Sequence, residues 1–147
     1  MLGIKQNFLA NRFRNVIITL MIQAIGIDQI VKKRIEQAVQ RWGDRFLDRI
    51  LTKKELALCM DKGDTIGSIA VRFAAKEAAF KALGTGWGGG VSWQDIEVVN
   101  LRNGKPEMIL HGQAARLAND VRIHCSLSHS QNEAVAVVIL ESAEGKE

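Results

Sequence analysis

Arg72-Phe73-Ala74-Ala75-Lys76-Glu77-Ala78-Ala79-Phe80-Lys81-Ala82-Leu83-Gly84-Thr85-Gly86 is an alanine-rich run that ends in a glycine loop. Alanine is the strongest helix former, and Gly84 stands where a left-handed residue closes a helix. Upstream, Asp64 or Thr65 can cap the same element, so the spacing predicts one long helix over residues 66–83. On it Glu77 and Lys81 lie one turn apart on one face, with Phe73 above them and Gly84 below. Periodicity by itself makes them a surface ion pair worth roughly a few tenths of a kcal/mol.

Working outward, residues 25–27 read as a short apolar strand ending at Asp28. Ile30, Val31, Ile35, Ala38 and Val39 then fall at helical spacing among Lys32, Lys33, Arg34, Glu36, Gln37 and Gln40, which predicts a helix from residue 30 with a basic polar face. Residues 42–51 form a second short helix, and Thr52 with Glu55 is a capping box opening a third that ends near Lys62 and Gly63. Beyond the glycine loop, residues 96–101 and 105–110 read as a hairpin turning at Asn103-Gly104, with Pro106 marking an edge. Residues 112–119 can form a short helix. Val121, Ile123, Cys125 and Leu127 alternate with polar residues as in a strand, and residues 134–140 are a nearly continuous apolar strand. The sum is an α+β domain, an antiparallel sheet packed with helices.

At 147 residues and 47% hydrophobic content the chain can fill a single core without disulfides or a structural metal. Cys59 and Cys125 stand far apart among apolar residues and read as buried thiols in a reducing compartment. Twenty basic against 16 acidic residues give a net charge of +4, which favours an acidic partner. Lys5, Arg12 and Arg14 before the apolar residues 16–22 mimic the start of a signal peptide. That stretch contains Thr19 and lacks a small-residue cleavage site, and it falls short of the roughly 20 apolar residues a membrane span needs. Residues 1–20 are therefore read as an N-terminal extension, with Met21 an alternative start, residues 21–142 as the domain and residues 143–147 as a polar tail; no stable membrane insertion is expected.

Several residues could carry chemistry. Asp28, where a strand gives way to a helix, can deliver a carboxylate to the end of a cleft, while a neighbouring helix supplies a second; such a pair with phosphate oxygens and waters makes a magnesium site. Equally, Asp28 can cap the helix that follows. Ser126-Leu127-Ser128-His129-Ser130 offers hydroxyls and an imidazole at a strand end, or serves as turn chemistry. Gly84-Thr85-Gly86 could bring backbone amides to a phosphate but lacks the Lys-Ser/Thr pair of a P-loop. Lys32, Lys33, Arg34, Arg41, Arg45, Arg49, Lys53 and Lys54 make the first half basic, suited to steering an acidic partner.

Gly26-Ile27-Asp28, Lys33-Arg34-Ile35, Arg45-Phe46, Arg49-Ile50-Leu51-Thr52 with Glu55, the Arg72 to Ala78 run, Lys81 to Gly86, Asn103-Gly104-Lys105-Pro106 and Ser126-Leu127-Ser128-His129 occur in an order that resembles the holo-acyl-carrier-protein synthases. The resemblance covers residues 23–140 and implies a 4′-phosphopantetheinyl transferase-like protomer in a homotrimer with shared active sites. It implies that Asp28 and Glu77 hold magnesium and that Lys81 neutralises phosphate charge. Arg72 with Gly84, Thr85 and Gly86 would position coenzyme A, Pro106 and His129 would line its cleft, and Arg34 and Arg45 would meet the acidic acyl carrier protein. The run Gly86-Trp87-Gly88-Gly89-Gly90 is richer in glycine than the family loop.

The implied reaction is attack of a carrier-protein serine on coenzyme A, releasing adenosine 3′,5′-bisphosphate and serving fatty acid biosynthesis in the cytoplasm. The serine proton could pass to a metal-bound water, to Glu77 through water, or to Lys81; the sequence does not choose among them. One alternative keeps the chemistry but takes carrier domains of polyketide or peptide synthases as substrate. Another is a basic nucleic-acid-binding module, which 5% aromatic content, the absence of tyrosine and the lack of a zinc-finger or RNA-recognition motif argue against.

Overall fold

The computed structural model describes residues 21–86 and 89–142. The expectations for residues 1–20, for Trp87 and Gly88, and for residues 143–147 lie outside the described residues. In chain order the elements are strand β1 (Ile22–Val31), helices α1 (Lys32–Trp42), α2 (Asp44–Ile50), α3 (Lys53–Met60) and α4 (Thr65–Leu83), a 3₁₀ turn (Trp93–Asp95), strands β2 (Ile96–Asn100) and β3 (Pro106–Leu110), helix α5 (Gly112–Leu117), and strands β4 (Val121–His129) and β5 (Glu133–Ser142).

β5 is the centre of a three-stranded antiparallel sheet in the order β1-β5-β4, while β2 and β3 form the expected antiparallel hairpin. The inner face of the sheet buries Ile30, Ala134, Ala136, Val138 and Leu140 against α4. Helix α4 is buried on nearly all sides, as a helix packed within a core must be. Gly26 and the alanines of α4 set how closely the two layers approach, since a Cβ at Gly26 would stand 1.8 Å from the Ala78 carbonyl oxygen. Glycine is the residue that lets two backbones meet in this way.

The ends of α4 are built as the sequence requires. Asp64 is the N-cap and accepts from the Gly67 amide at 2.8 Å, while Gly84 closes the helix at φ 71°. The Thr52–Glu55 capping box of α3 is also present. β1 differs from expectation: it continues through Asp28 to Val31, and α1 starts at Lys32 rather than residue 30. Pairing with β5 from Asp28↔Ala136 to Val31↔Glu133 holds these residues extended and outweighs their helical spacing. Asp28 is accordingly not at a strand end and caps no helix; Val31 is the N-cap of α1. Cys59 is buried, but Cys125 only partly so, because it lies on β4 at the edge of the sheet.

Candidate active site

Alternation along β1 points Asp28 to the same face as Gly26 and Ile30, toward α4. There Lys81 meets it, its Nζ donating to Asp28 Oδ1 at 2.9 Å and to the Ile27 carbonyl at 2.8 Å. The surface pair expected between Glu77 and Lys81 is thus replaced by a bond from Lys81 to the strand. Glu77, one turn back on α4, is half-buried in the same place. Burial and then the negative charge of Asp28 push its carboxyl above the ordinary range, with Lys81 acting in the opposite sense. A half-buried carboxyl held beside a second carboxylate, with one ammonium between strand and helix, forms a site that favours added positive charge.

The glycine turn follows directly. Gly84 and Gly86 both take positive φ, 71° and 51°, and Thr85 between them has a buried Oγ1 with no hydrogen-bond partner among the described residues. A buried hydroxyl without a partner is costly, so it is a donor in want of an acceptor.

Arg72, Pro106 and His129 meet elsewhere. They line a cleft of about 360 Å³ together with Lys62, Asp64, Ser68, Asn100 and Leu127, and Asp28, Glu77 and Lys81 are not among its lining residues. Arg72 is itself spent largely on the fold. Its guanidinium donates to the Val98 carbonyl (3.1 Å), to the Ser68 carbonyl and hydroxyl (3.2 and 2.7 Å) and to Asn100 Oδ1 (3.0 Å). Four of its five N–H groups are therefore engaged.

The basic half of the chain encloses two adjoining apolar cavities. Arg34 and Arg41 border one of about 350 Å³, Arg45 and Arg49 border one of about 490 Å³, and both share Trp42, Phe46 and Phe73 as walls. Arg41 packs its guanidinium over Trp42, 5.0 Å from the ring centroid. Phe73, a wall of both cavities, precedes Glu77 by one turn of α4. These aromatic walls were not anticipated from the sequence, although Arg41-Trp42, Arg45-Phe46 and Arg49-Ile50 repeat an arginine and an apolar residue every fourth position.

Residues 24–138 of this antiparallel α+β domain match the family model for the 4′-phosphopantetheinyl transferase superfamily, which sets the chain in the phosphopantetheinyl transferase class. A holo-[acyl-carrier-protein] synthase of Koribacter versatilis is 50% identical over 82% of this chain and 99% of its own length. Among solved structures, the Bacillus anthracis synthase in complex with CoA (3′,5′-ADP) is 44% identical, with a TM-score of 0.70 over 83% of this chain and 98% of that one. The Helicobacter pylori synthase in complex with coenzyme A is 38% identical, with a TM-score of 0.71 over 79% and 98%. The chain belongs to the holo-[acyl-carrier-protein] synthase family.

Proposed function

We propose that this chain transfers 4′-phosphopantetheine from coenzyme A to a serine of apo acyl carrier protein, yielding holo carrier protein and adenosine 3′,5′-bisphosphate for fatty acid biosynthesis. The observation that carries the reading is the convergence of Asp28, Glu77 and Lys81 in a chain of this family. The transferase domain is assigned to residues 21–142 and its working place to the cytoplasm; no helix among the described residues is long and apolar enough to cross a membrane.

The two facing carboxylates are a hard-oxygen donor set, so Asp28 and Glu77 would hold magnesium. When bound, magnesium supplies charge neutralisation to the pyrophosphate of coenzyme A. Lys81 keeps half its side chain exposed and adds a fixed positive charge at the same place. The unpartnered Thr85 hydroxyl and the amides of the Gly84–Gly86 turn offer further donors. The serine oxygen forms a bond to the phosphorus nearer the pantetheine arm as the bond to the bisphosphate breaks, and the serine gives up its proton. Little covalent work falls to the protein, so positioning and charge supply most of the rate.

A carrier protein with an acidic helix suits the basic cavities at Arg34 and Arg45, and it would dock one helical turn from Glu77. The nucleotide end belongs in the cleft of Arg72, Pro106 and His129. Along α4, Ser68 in that cleft and Lys81 at the carboxylates are separated by roughly 20 Å of helix. Copies arranged head to tail in a trimer would bring one chain's carboxylates to its neighbour's cleft. The outer face of the sheet, with Ile25 and Ile27 each 60% exposed, supplies an apolar contact for that assembly.

Intact-mass analysis of apo acyl carrier protein incubated with the enzyme, coenzyme A and magnesium tests the reading. A metal-dependent gain of one phosphopantetheine is expected, and no gain on any folded carrier protein would defeat it.

A further inference from the structure

Lys76 has no exposed surface, and all three of its ammonium hydrogens are used inside the protein. Nζ donates to the carbonyls of Ile50 at 2.6 Å and Trp93 at 3.0 Å and to Glu55 Oε2 at 2.7 Å. Glu55, equally buried, accepts from the amides of Thr52 and Val98, each at 2.8 Å. A buried ion pair seldom adds stability over apolar packing of the same volume, so its presence asks for a geometric reason. The geometry supplies one. Ile50 and Trp93, the two residues whose carbonyls Lys76 holds, both line the larger arginine-bordered cavity. Phe73, one turn before Lys76 on α4, lines it too and stacks on Trp93 with ring centroids 4.9 Å apart.

We propose that Lys76 is a positioning residue for carrier-protein docking: its ammonium fixes Ile50 and Trp93 as the floor of the cavity that receives an apolar side chain of the carrier. The inference rests on the transferase reading above. The carrier contributes acidic groups to Arg45 and Arg49 at the rim, and its apolar side chain needs a floor that does not give way. Lys76 supplies that from below without touching the carrier or coenzyme A.

Steady-state kinetics with apo carrier protein test this on three variants. Lys76→Met and the neutral pair Glu55→Gln/Lys76→Met remove the ammonium, the second without leaving Glu55 as a buried unpaired charge. In both, KM for carrier protein is expected to rise about tenfold while KM for coenzyme A stays within about twofold, the split that marks lost carrier binding. Glu55→Gln leaves the Lys76 nitrogen and its N–H donors in place for both carbonyls, so it should lower Tm yet leave KM for carrier protein within about twofold of wild type. A folded double variant with wild-type KM for carrier protein would overturn the proposal. So would a Glu55→Gln variant whose KM rises tenfold, because the effect would then follow lost stability; this arm holds even where Lys76→Met does not fold. Wild-type enzyme assayed alongside separates the two levels, since its failure to modify any carrier protein removes the transferase reading itself.

Discussion

Lys81 reaches from α4 across to β1 and donates to Asp28 at 2.9 Å, joining residues 53 positions apart at the carboxylate on which the proposed chemistry depends. Glu77 sits in the same crossing and is held there against its preference, since burial and the charge of Asp28 both oppose its ionisation. Asp28→Ala or Glu77→Ala should lower transfer by about a thousandfold or more, as for removal of a ligand to charge developing in a transition state. The fold should survive, because neither side chain is a core contact. Chelation of divalent metal should abolish the activity of wild-type enzyme, and added magnesium should restore it.

The same opposition predicts a stability gain. A carboxyl whose folded-state pKa is raised above its unfolded value destabilises the fold as pH rises through that window. Glu77→Gln should therefore raise Tm by a few degrees at neutral pH in metal-free buffer, with the advantage vanishing below about pH 4 where both states are protonated. Thermal unfolding across that pH range checks it; a lower Tm for the variant at pH 7 would contradict the account.

Gly26 is the closest approach of sheet and helix. An alanine methyl there would lie 1.8 Å from the Ala78 carbonyl oxygen and 2.9 Å from the Ala82 amide nitrogen, both backbone atoms that cannot turn aside. Gly26→Ala should destabilise by about 2–3 kcal/mol or leave the protein insoluble, as overpacking of a tight core does. Because Asp28 is carried two residues further on the same face, any folded fraction should also lose transfer activity disproportionately. Chemical unfolding and the rate per folded molecule measure the two effects.

The elements with local chemistry were legible in the sequence. The Asp64 cap, the Gly84 stop, the Thr52–Glu55 box and the Asn103-Gly104 hairpin each act within a few residues, and all stand where the sequence puts them. What escaped depends on contacts distant in the chain. The last residues of β1 are extended because β5 pairs with them, not because of their own spacing. Lys76 stands beside Glu77 in the sequence, yet its place between Phe73 and Phe80 on one stripe of the helix marks it for burial. Asp28 is not at the strand end that its place in the sequence suggests; it reaches Lys81 because side chains alternate along the strand. That Arg72 would spend its guanidinium on Ser68, Val98 and Asn100 could not be read without the hairpin in place.

Asp64 supports a pH prediction of the opposite sign to Glu77. The Lys32 ammonium, then the Gly67 amide, hold its carboxyl below the ordinary carboxylate range. A depressed folded-state pKa contributes stability that is complete above the unfolded value, about 3.9, and is lost as pH falls through the folded one. Asp64→Asn keeps the cap but not the charge, so it should lower Tm slightly at pH 7, by no more than a half-exposed pair allows. The gap should close on acidification below about pH 4, a trend that parallel melts of the two proteins would reveal.

The division of the site along α4 yields the sharpest test of assembly. Glu77 lies toward one end of the helix and the cleft of His129 toward the other, so the proposed shared site predicts that a chain lacking either is rescued by a neighbour. In a closed trimer with head-to-tail contacts, each site takes its carboxylates from one copy and its cleft from the next. Co-expression of Glu77→Ala and His129→Ala chains in equal amounts then leaves both halves intact in one site of four, giving about a quarter of wild-type activity although each variant alone is nearly inactive. Were every site built within one chain, the mixture would be as inactive as its components. Ile27→Glu, which sets a charge on the apolar outer face, should dissociate the assembly and silence transfer with Asp28, Glu77 and Lys81 all present. Light scattering read beside the rate decides it: a monomer with full activity would exclude shared sites, whereas loss of mass and rate together ties catalysis to the neighbouring copy.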